Sequence, residues 1–306
     1  MRILIGYDGS DCSEETFEDL RLAGLPAGVE AVVLSVANVW LPPAPIEGVE
    51  PAVKVMPLAV ERAREHAEAK LGEAQSTAER GASRLHALFP GWHVKAEAVA
   101  DSPSWAVIKK ASEWKADLVV VGSHGYSGFN RLTLGSVSQK IVTESPCSVR
   151  IARKRERKHG QPIHIVVGLD GSENSDLAIR TVLDRKWPTG TEVHLITAID
   201  ENVITAIFEP SPLLSRWVSE NDEEPLTWVG RMIADYRQQL EAAGLHVHSL
   251  VNDGDPKTLL VEESTNWGAD TLFVGAKGHN LIERFLIGSV STSIISRAEC
   301  SVEVVR

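Results

Sequence analysis

Two stretches of this chain place glycine and serine at the same spacing. The first, GSHGYSGFNRLTLGSVS, holds Gly122, Gly125, Gly135 and Ser136. The second, GAKGHNLIERFLIGSVS, holds Gly275, Gly278, Gly288 and Ser289. Both read glycine, two residues, glycine, nine residues, Gly-Ser. The chemistry that suits this pattern is phosphate binding. Glycine lets a ligand come close to the main chain and tolerates positive φ. Ser136 and Ser289 carry hydroxyls for phosphate oxygens. The Val137–Ser138 and Val290–Ser291 pairs that follow open helices, whose free amides and dipole favour an anion. Ser138 and Ser291 would add a second hydroxyl or cap those helices. Tight turns and close helix packing explain each glycine singly, but explain the two Gly-Ser-Val-Ser endings less well.

Other chemistry-bearing residues flank these loops. Asp8 and Asp170 sit in matching Asp-Gly-Ser segments. Like charge makes them poor direct partners for phosphate. They suit ribose hydroxyls or a bound Mg²⁺, and the other reading is an Asx turn on their own backbone. His124 in GSHG stands where Lys277 stands in GAKG. Lys277 would attract phosphate or face solvent. His124 has no orienting acid nearby in sequence, which argues against a general base.

Several elements must position these groups. Each motif follows an apolar run ending in glycine, LVVVG and TLFVG, which reads as a buried strand. Further strands are expected at 1–7, 29–39, 92–100 and in CSVRIAR. A helix is expected from Glu61 to Leu88, with Ala63, Ala67, Leu71, Ala74, Ala78 and Leu85 facing a sheet. Gly72 and Gly81 weaken it as one unbroken helix. Asp11 or Ser13 would cap the helix after the first strand. The second half repeats the order from IHIVVGLDGS to SVEVVR, with a longer connection after its second strand. Strands alternating with helices indicate parallel sheets covered on both faces. Ligands in such sheets sit beyond the carboxyl ends of the strands, where both motifs and both Asp-Gly-Ser segments fall.

Composition narrows the class. The chain has 306 residues and a formal net charge of -11, so a general nucleic-acid binder is not expected. The basic run KRERKH, from Lys154 to His159, reads as a solvated linker. No apolar stretch suits a bilayer span and no signal-peptide pattern opens the chain, so a cytoplasmic protein without membrane association is expected. The three cysteines, Cys12, Cys147 and Cys300, make neither a disulfide framework nor a metal cluster. GxxxxGK[ST], the G-x-G-x-x-G of a nicotinamide dehydrogenase, and the hydrolase and kinase signatures are all missing.

With its doubled glycine motif, Asp-Gly-Ser after each first strand, and SPCSVRIAR after the first motif, the chain resembles tandem members of the universal stress protein family. The resemblance spans nearly the whole sequence. It implies a Rossmann-like fold of two tandem open parallel five-stranded sheets with flanking helices, each in strand order 3-2-1-4-5. The expected domains are 1–153 and 163–306, joined by a basic linker at 154–162. The nucleotide-binding branch of the family holds ATP. By that resemblance Tyr7 and Val36 bound the adenine pocket, and Asp8 faces the ribose or the metal. Gly122 and Gly125 line the ribose and phosphate path, and Gly135, Ser136, Val137 and Ser138 hold the phosphates. The matching second set is Leu169, Asp170, Thr197, Gly275, Gly278, Gly288, Ser289, Val290 and Ser291. The resemblance offers Asp8 and Asp170 as the residues for Mg²⁺.

The resemblance also implies a stress-response or regulatory protein in which nucleotide occupancy alters partner contacts. The alternatives are a nucleotide-independent interaction module and a slow Mg-dependent ATPase, with no dedicated catalytic residue assigned. Fifth strands in the family meet across a two-fold axis, so the two halves are expected to pair within the chain. A homodimer is a further expectation.

Overall fold

The computed structural model describes residues 1–40, 57–124, 134–154, 160–205, 212–219, 226–278 and 287–306. The first half runs β1 (Arg2–Gly6), α1 (Asp11–Leu20), β2 (Glu30–Ala37), α2 (Pro57–Leu88), β3 (His93–Ala100), α3 (Pro103–Trp114), β4 (Leu118–Gly122), α4 (Ser136–Glu144) and β5 (Ser148–Ala152). The second runs β6 (His164–Gly168), α5 (Glu173–Leu183), β7 (Glu192–Ile199), α6 (Glu201–Thr205), α7 (Thr227–Ala242), β8 (His246–Asp253), α8 (Pro256–Asn266), β9 (Thr271–Gly275), α9 (Ser289–Arg297) and β10 (Ser301–Val305).

Local chemistry accounts for these elements. Ile3, Leu4 and Ile5 are fully buried, as a strand covered on both faces requires. Helix α1 starts because the Ser10 hydroxyl accepts the Ser13 N–H, and Ser172 caps α5 through Ser175 in the same way. The cap is therefore Ser10, not Asp11 or Ser13. Helix α2 continues unbroken through Gly72 and Gly81. Its stripe is buried at Ala67, Ala78 and Leu85, whereas Ala63 is exposed. Gly81 has a packing reason: a Cβ there would come within 2.8 Å of the Tyr7 ring.

The strands form one ten-stranded sheet in the order β3-β2-β1-β4-β5-β10-β9-β6-β7-β8. Each half is parallel and carries the order 3-2-1-4-5. Strands β5 and β10 join the halves in antiparallel register, with Arg150 opposite Glu303. The two five-stranded parallel sheets thus continue into one another through β5 and β10.

The two faces of this junction differ. On one face an apolar core crosses it without a break, from Val119, Val149 and Ile151 to Val302, Val304 and Leu272. On the other face lies a buried ionic network. Arg150 donates to both oxygens of Asp19, at 2.6 and 2.9 Å, and to Glu303 Oε2 at 3.3 Å. Arg185 donates to Glu303 Oε1 and to the Ala23 carbonyl. Two cations face two carboxylates, so the buried charge balances. Burial alone would push the Arg150 guanidinium down, but Asp19 and Glu303 more than offset it and the pKa is raised. Burial dominates at Arg185 and pushes it down against the pull of Glu303.

The strand ends add reciprocal ties. Arg153, just after β5, donates to the Ile295 carbonyl in the last turn of α9. Arg306, just after β10, donates to the Thr143 carbonyl near the end of α4, at 3.4 Å. A cation at a helix carboxyl end is favoured by the dipole. Each half therefore caps a helix of the other.

Arg150→Met should cost about 3–5 kcal/mol of stability, because Asp19 and Glu303 would remain buried without their shared cation. Lys140→Met, at the exposed Lys140–Glu144 pair, should cost less than about 1 kcal/mol. Chemical denaturation of the two variants makes the comparison. Equal, small losses would show that the network does not hold the halves together.

Candidate functional site

Among the described residues, the cavity bordered by a glycine motif lies in the second half. Strand β6 is extended by one bond, from the Leu169 N–H to the Ile196 carbonyl at 2.8 Å. Gly171 then turns the chain at φ +81°, and α5 begins. Asp170 accepts the Ser172 N–H at 2.9 Å, forming an Asx turn at this strand end. Across from it, β9 ends at Gly275, packed on α5. A Cβ at Gly275 would lie 2.6 Å from the Asn174 Cβ, so this glycine serves close packing.

Gly288 is different. Its φ of -67° and ψ of 156° are open to any residue. A Cβ there would meet the Ala276 carbonyl at 3.4 Å, an ordinary contact. The protein's own packing does not require glycine at this place. Gly288 is the cap of α9 and carries no side-chain acceptor, so the first-turn amides of that helix have no cap.

These ends border a cavity of about 420 Å³. Leu169, Asp170, Gly275, Gly278, Gly288, Ser289, Val290 and Ser291 all line it. Ile196, Ala198, Val203 and Leu260 supply apolar wall. The volume lies in the range of small-molecule sites. Ser291 holds the scaffold together, since its hydroxyl donates to the Gly275 carbonyl at 2.7 Å and ties α9 to the end of β9. Ser289 is exposed and faces the cavity with no such tie among the described residues. Gly278 abuts Asp170, whose Oδ2 would lie 2.8 Å from a Cβ there.

Thr197 is not part of the lining. Its side chain is fully buried, and its hydroxyl has no partner among the described residues. The reason is register. Tyr7 N–H bonds to Leu34 and Leu169 N–H bonds to Ile196, so Leu34 corresponds to Ile196, Ser35 to Thr197 and Val36 to Ala198. Side chains alternate along a strand, and it is Ala198 that faces the cavity.

In the first half, Val36 is half-buried against the core shared by both halves. Tyr7 points to the other face. It is buried, stacks on Phe17 at 5.2 Å, and donates its hydroxyl to Glu14. Its side chain therefore does not bound a pocket with Val36. Burial and the Glu14 carboxylate hold the Tyr7 phenol above its ordinary range. The second half places Tyr236 of α7 in this role, donating to Asp176 at 2.8 Å. Asp176 occupies the repeat position of Glu14.

Asp8 is exposed, and its Oδ1 accepts both the N–H and the hydroxyl of Ser10, at 3.0 and 2.6 Å. Gly122 packs on α1, where a Cβ would lie 2.9 Å from the Cys12 carbonyl. Gly135 repeats the geometry of Gly288, with φ -64°, and caps α4 without a side-chain acceptor. Ser136 and Val137 are exposed in the first turn, while Ser138 donates to the Gly122 carbonyl at 2.7 Å. Gly125 lies outside the described residues.

Among the described residues, no group of three or more His, Cys, Asp or Glu side chains is placed to hold a metal. No helix there is long and apolar enough to cross a membrane. Asp200, Val203 and Pro256 also line the cavity and are not expected from the glycine motifs. Asp200 accepts the Val203 N–H at 3.0 Å at the start of α6. An Asp three residues before an apolar position is the signal that marks this helix start in sequence.

The universal stress protein family model matches residues 1–153 and 163–306. A universal stress protein of Mycolicibacterium smegmatis is 25% identical over 305 residues, covering 99% of this chain and 96% of that protein. One of Mycobacterium tuberculosis is 27% identical over 215 residues, covering 70% of this chain and 69% of that protein. The crystal structure of a universal stress protein from Archaeoglobus fulgidus aligns with a TM-score of 0.63, at 19% identity, over 100% of this chain and 96% of that one. At that identity the likeness concerns the fold.

The glycines divide by what surrounds them, and substitution separates the classes. Gly275→Ala should destabilise the protein by about 1–3 kcal/mol through overpacking on α5. Gly288→Ala should stay within about 1 kcal/mol of the parent. Denaturant midpoints check both; the reverse order would assign Gly288 to packing.

Proposed function

The chain belongs to the universal stress protein family, and from that premise we propose that it binds an adenine nucleotide, ATP first, at the carboxyl edge of each half. The observation that carries this reading is Gly288. It borders a cavity of about 420 Å³ beside an uncapped helix start, in a conformation and a space that do not need glycine. A residue without a side chain there leaves the amides of α9 open to a phosphate.

In this reading Ser289 and the first-turn amides of α9 take the phosphates. Ile196, Ala198 and Val203 form the apolar slot for the base. Asp170 takes a ribose hydroxyl or a nucleotide-bound Mg²⁺. Such a metal keeps several waters and needs only one or two carboxylates besides the phosphates, so a single aspartate per site fits it. Mg²⁺ would supply neutralisation of phosphate charge. In the first half, Asp8, Val36, Gly122, Gly125, Gly135, Ser136, Val137 and Ser138 belong to the corresponding site, Tyr7 contributing by its backbone.

The biological role in this proposal is regulatory. Nucleotide occupancy shifts the protein between two forms that differ in a surface offered to a protein partner. That requires different nucleotide affinities in the two forms, since equal affinity shifts no population. Domain boundaries at 153 and 163, a cytoplasmic setting and a homodimer of the whole chain belong to the same proposal.

Calorimetric titration of the full chain with ATP and Mg²⁺ should give two sites. Gly135→Trp and Gly288→Trp should each remove one. Absence of heat, together with no thermal shift at millimolar ATP, would leave a nucleotide-independent interaction module.

A further inference from the structure

We infer that Lys277 makes the second cavity selective for nucleotides with more phosphate charge, triphosphate over monophosphate, and that the first cradle lacks this selectivity. The inference rests on the nucleotide-binding reading of the same cavity and adds a charge preference to it.

Lys277 lines the cavity and is half-buried. Its Cα lies 3.5 Å from the place of a Cβ on Gly288, the cap of α9. The lysine thus stands at the positive end of a helix dipole. A cation there is unfavourable unless an anion joins it. Among the described residues Lys277 has no hydrogen bond or ion pair. The other polar side chains of the cavity are largely engaged. Asp170 accepts the Ser172 N–H, Asp200 accepts the Val203 N–H, and Ser291 donates to Gly275. Ser172 and Ser175 bond to each other's backbone. Lys277 and Ser289 remain, on either side of the helix cap. Their chemistry, an ammonium and a hydroxyl beside free amides, matches a di- or triphosphate chain.

The first half fills the same position with His124, whose Cα lies 3.5 Å from the place of a Cβ on Gly135. His124 Nδ1 is 3.0 Å from the Ser123 hydroxyl, and Nε2 is buried without a partner among the described residues. Burial and the neighbouring Arg153 hold the imidazole below its ordinary pKa, so it carries no fixed charge at neutral pH. One cradle therefore offers an ammonium and the other a neutral ring.

The test uses the full chain with Gly135→Trp, so that the second cavity is read alone. ATP, AMP, adenosine and inorganic pyrophosphate are titrated with and without Lys277→Gln. ATP and pyrophosphate affinity should each fall by about tenfold, the scale of one charge-assisted contact. AMP should lose less, and adenosine should change by less than about twofold. Conversely, His124→Lys in a Gly288→Trp chain should raise the ATP-to-AMP preference of the first cradle. Thermal melting confirms that each variant folds. An unchanged ATP-to-AMP ratio on Lys277→Gln, with ATP and adenosine still bound, would overturn the inference alone. Failure of the Gly135→Trp chain to bind either ATP or adenosine would overturn the nucleotide reading and the inference with it.

Discussion

The structure depends on one antiparallel contact, β5 against β10, with Arg150 facing Glu303. Without it, each half would end in an open strand edge. With it, the halves share an apolar core on one face and a charge network on the other. Strands on the two sides of the junction run in opposite directions. The carboxyl edges of the halves therefore lie at opposite ends of the sheet, and so do the two candidate sites. Communication between them would have to cross this junction.

Buried ion pairs are weak sources of stability because desolvation offsets their attraction. Their use here is better understood as specificity. Arg150 and Glu303 fill equivalent positions of the repeat, CSVRIAR and CSVEVVR. If the halves were identical, that position would meet its own copy, and like charges would face each other. The two surfaces are instead complementary, with Arg150 facing Glu303. Asp19 and Arg185, the other members, also come one from each half, so the preferred partner of each half is the other.

Much of this was legible in the sequence. Buried strands appeared as runs of Val, Ile and Leu, and the doubled glycine motif located both carboxyl edges. What was less legible depended on register and distance. Thr197 matches Val36 by position along the strand, whereas the equivalent bonds Tyr7–Leu34 and Leu169–Ile196 make Ala198 the counterpart of Val36. Tyr7 alternates to the far face for the same reason. Ser138 and Ser291 looked like phosphate ligands, but a buried hydroxyl needs a partner and each finds a strand-end carbonyl. The ion pairs of the network join residues as much as 153 positions apart, and local pattern does not show such contacts. The two roles of glycine, close packing at Gly122 and Gly275 and ordinary contact at Gly135 and Gly288, separate only in three dimensions.

The central claim is that the second cavity is a nucleotide site organised by the start of α9. A crystal structure of the full chain grown with ATP and Mg²⁺ tests it most directly. The account predicts phosphate oxygens within about 3 Å of the Ser289 hydroxyl and the first-turn amides of α9, with the base against Ile196 and Ala198. An empty cavity at saturating ATP, or a nucleotide bound elsewhere on the molecule, would contradict it.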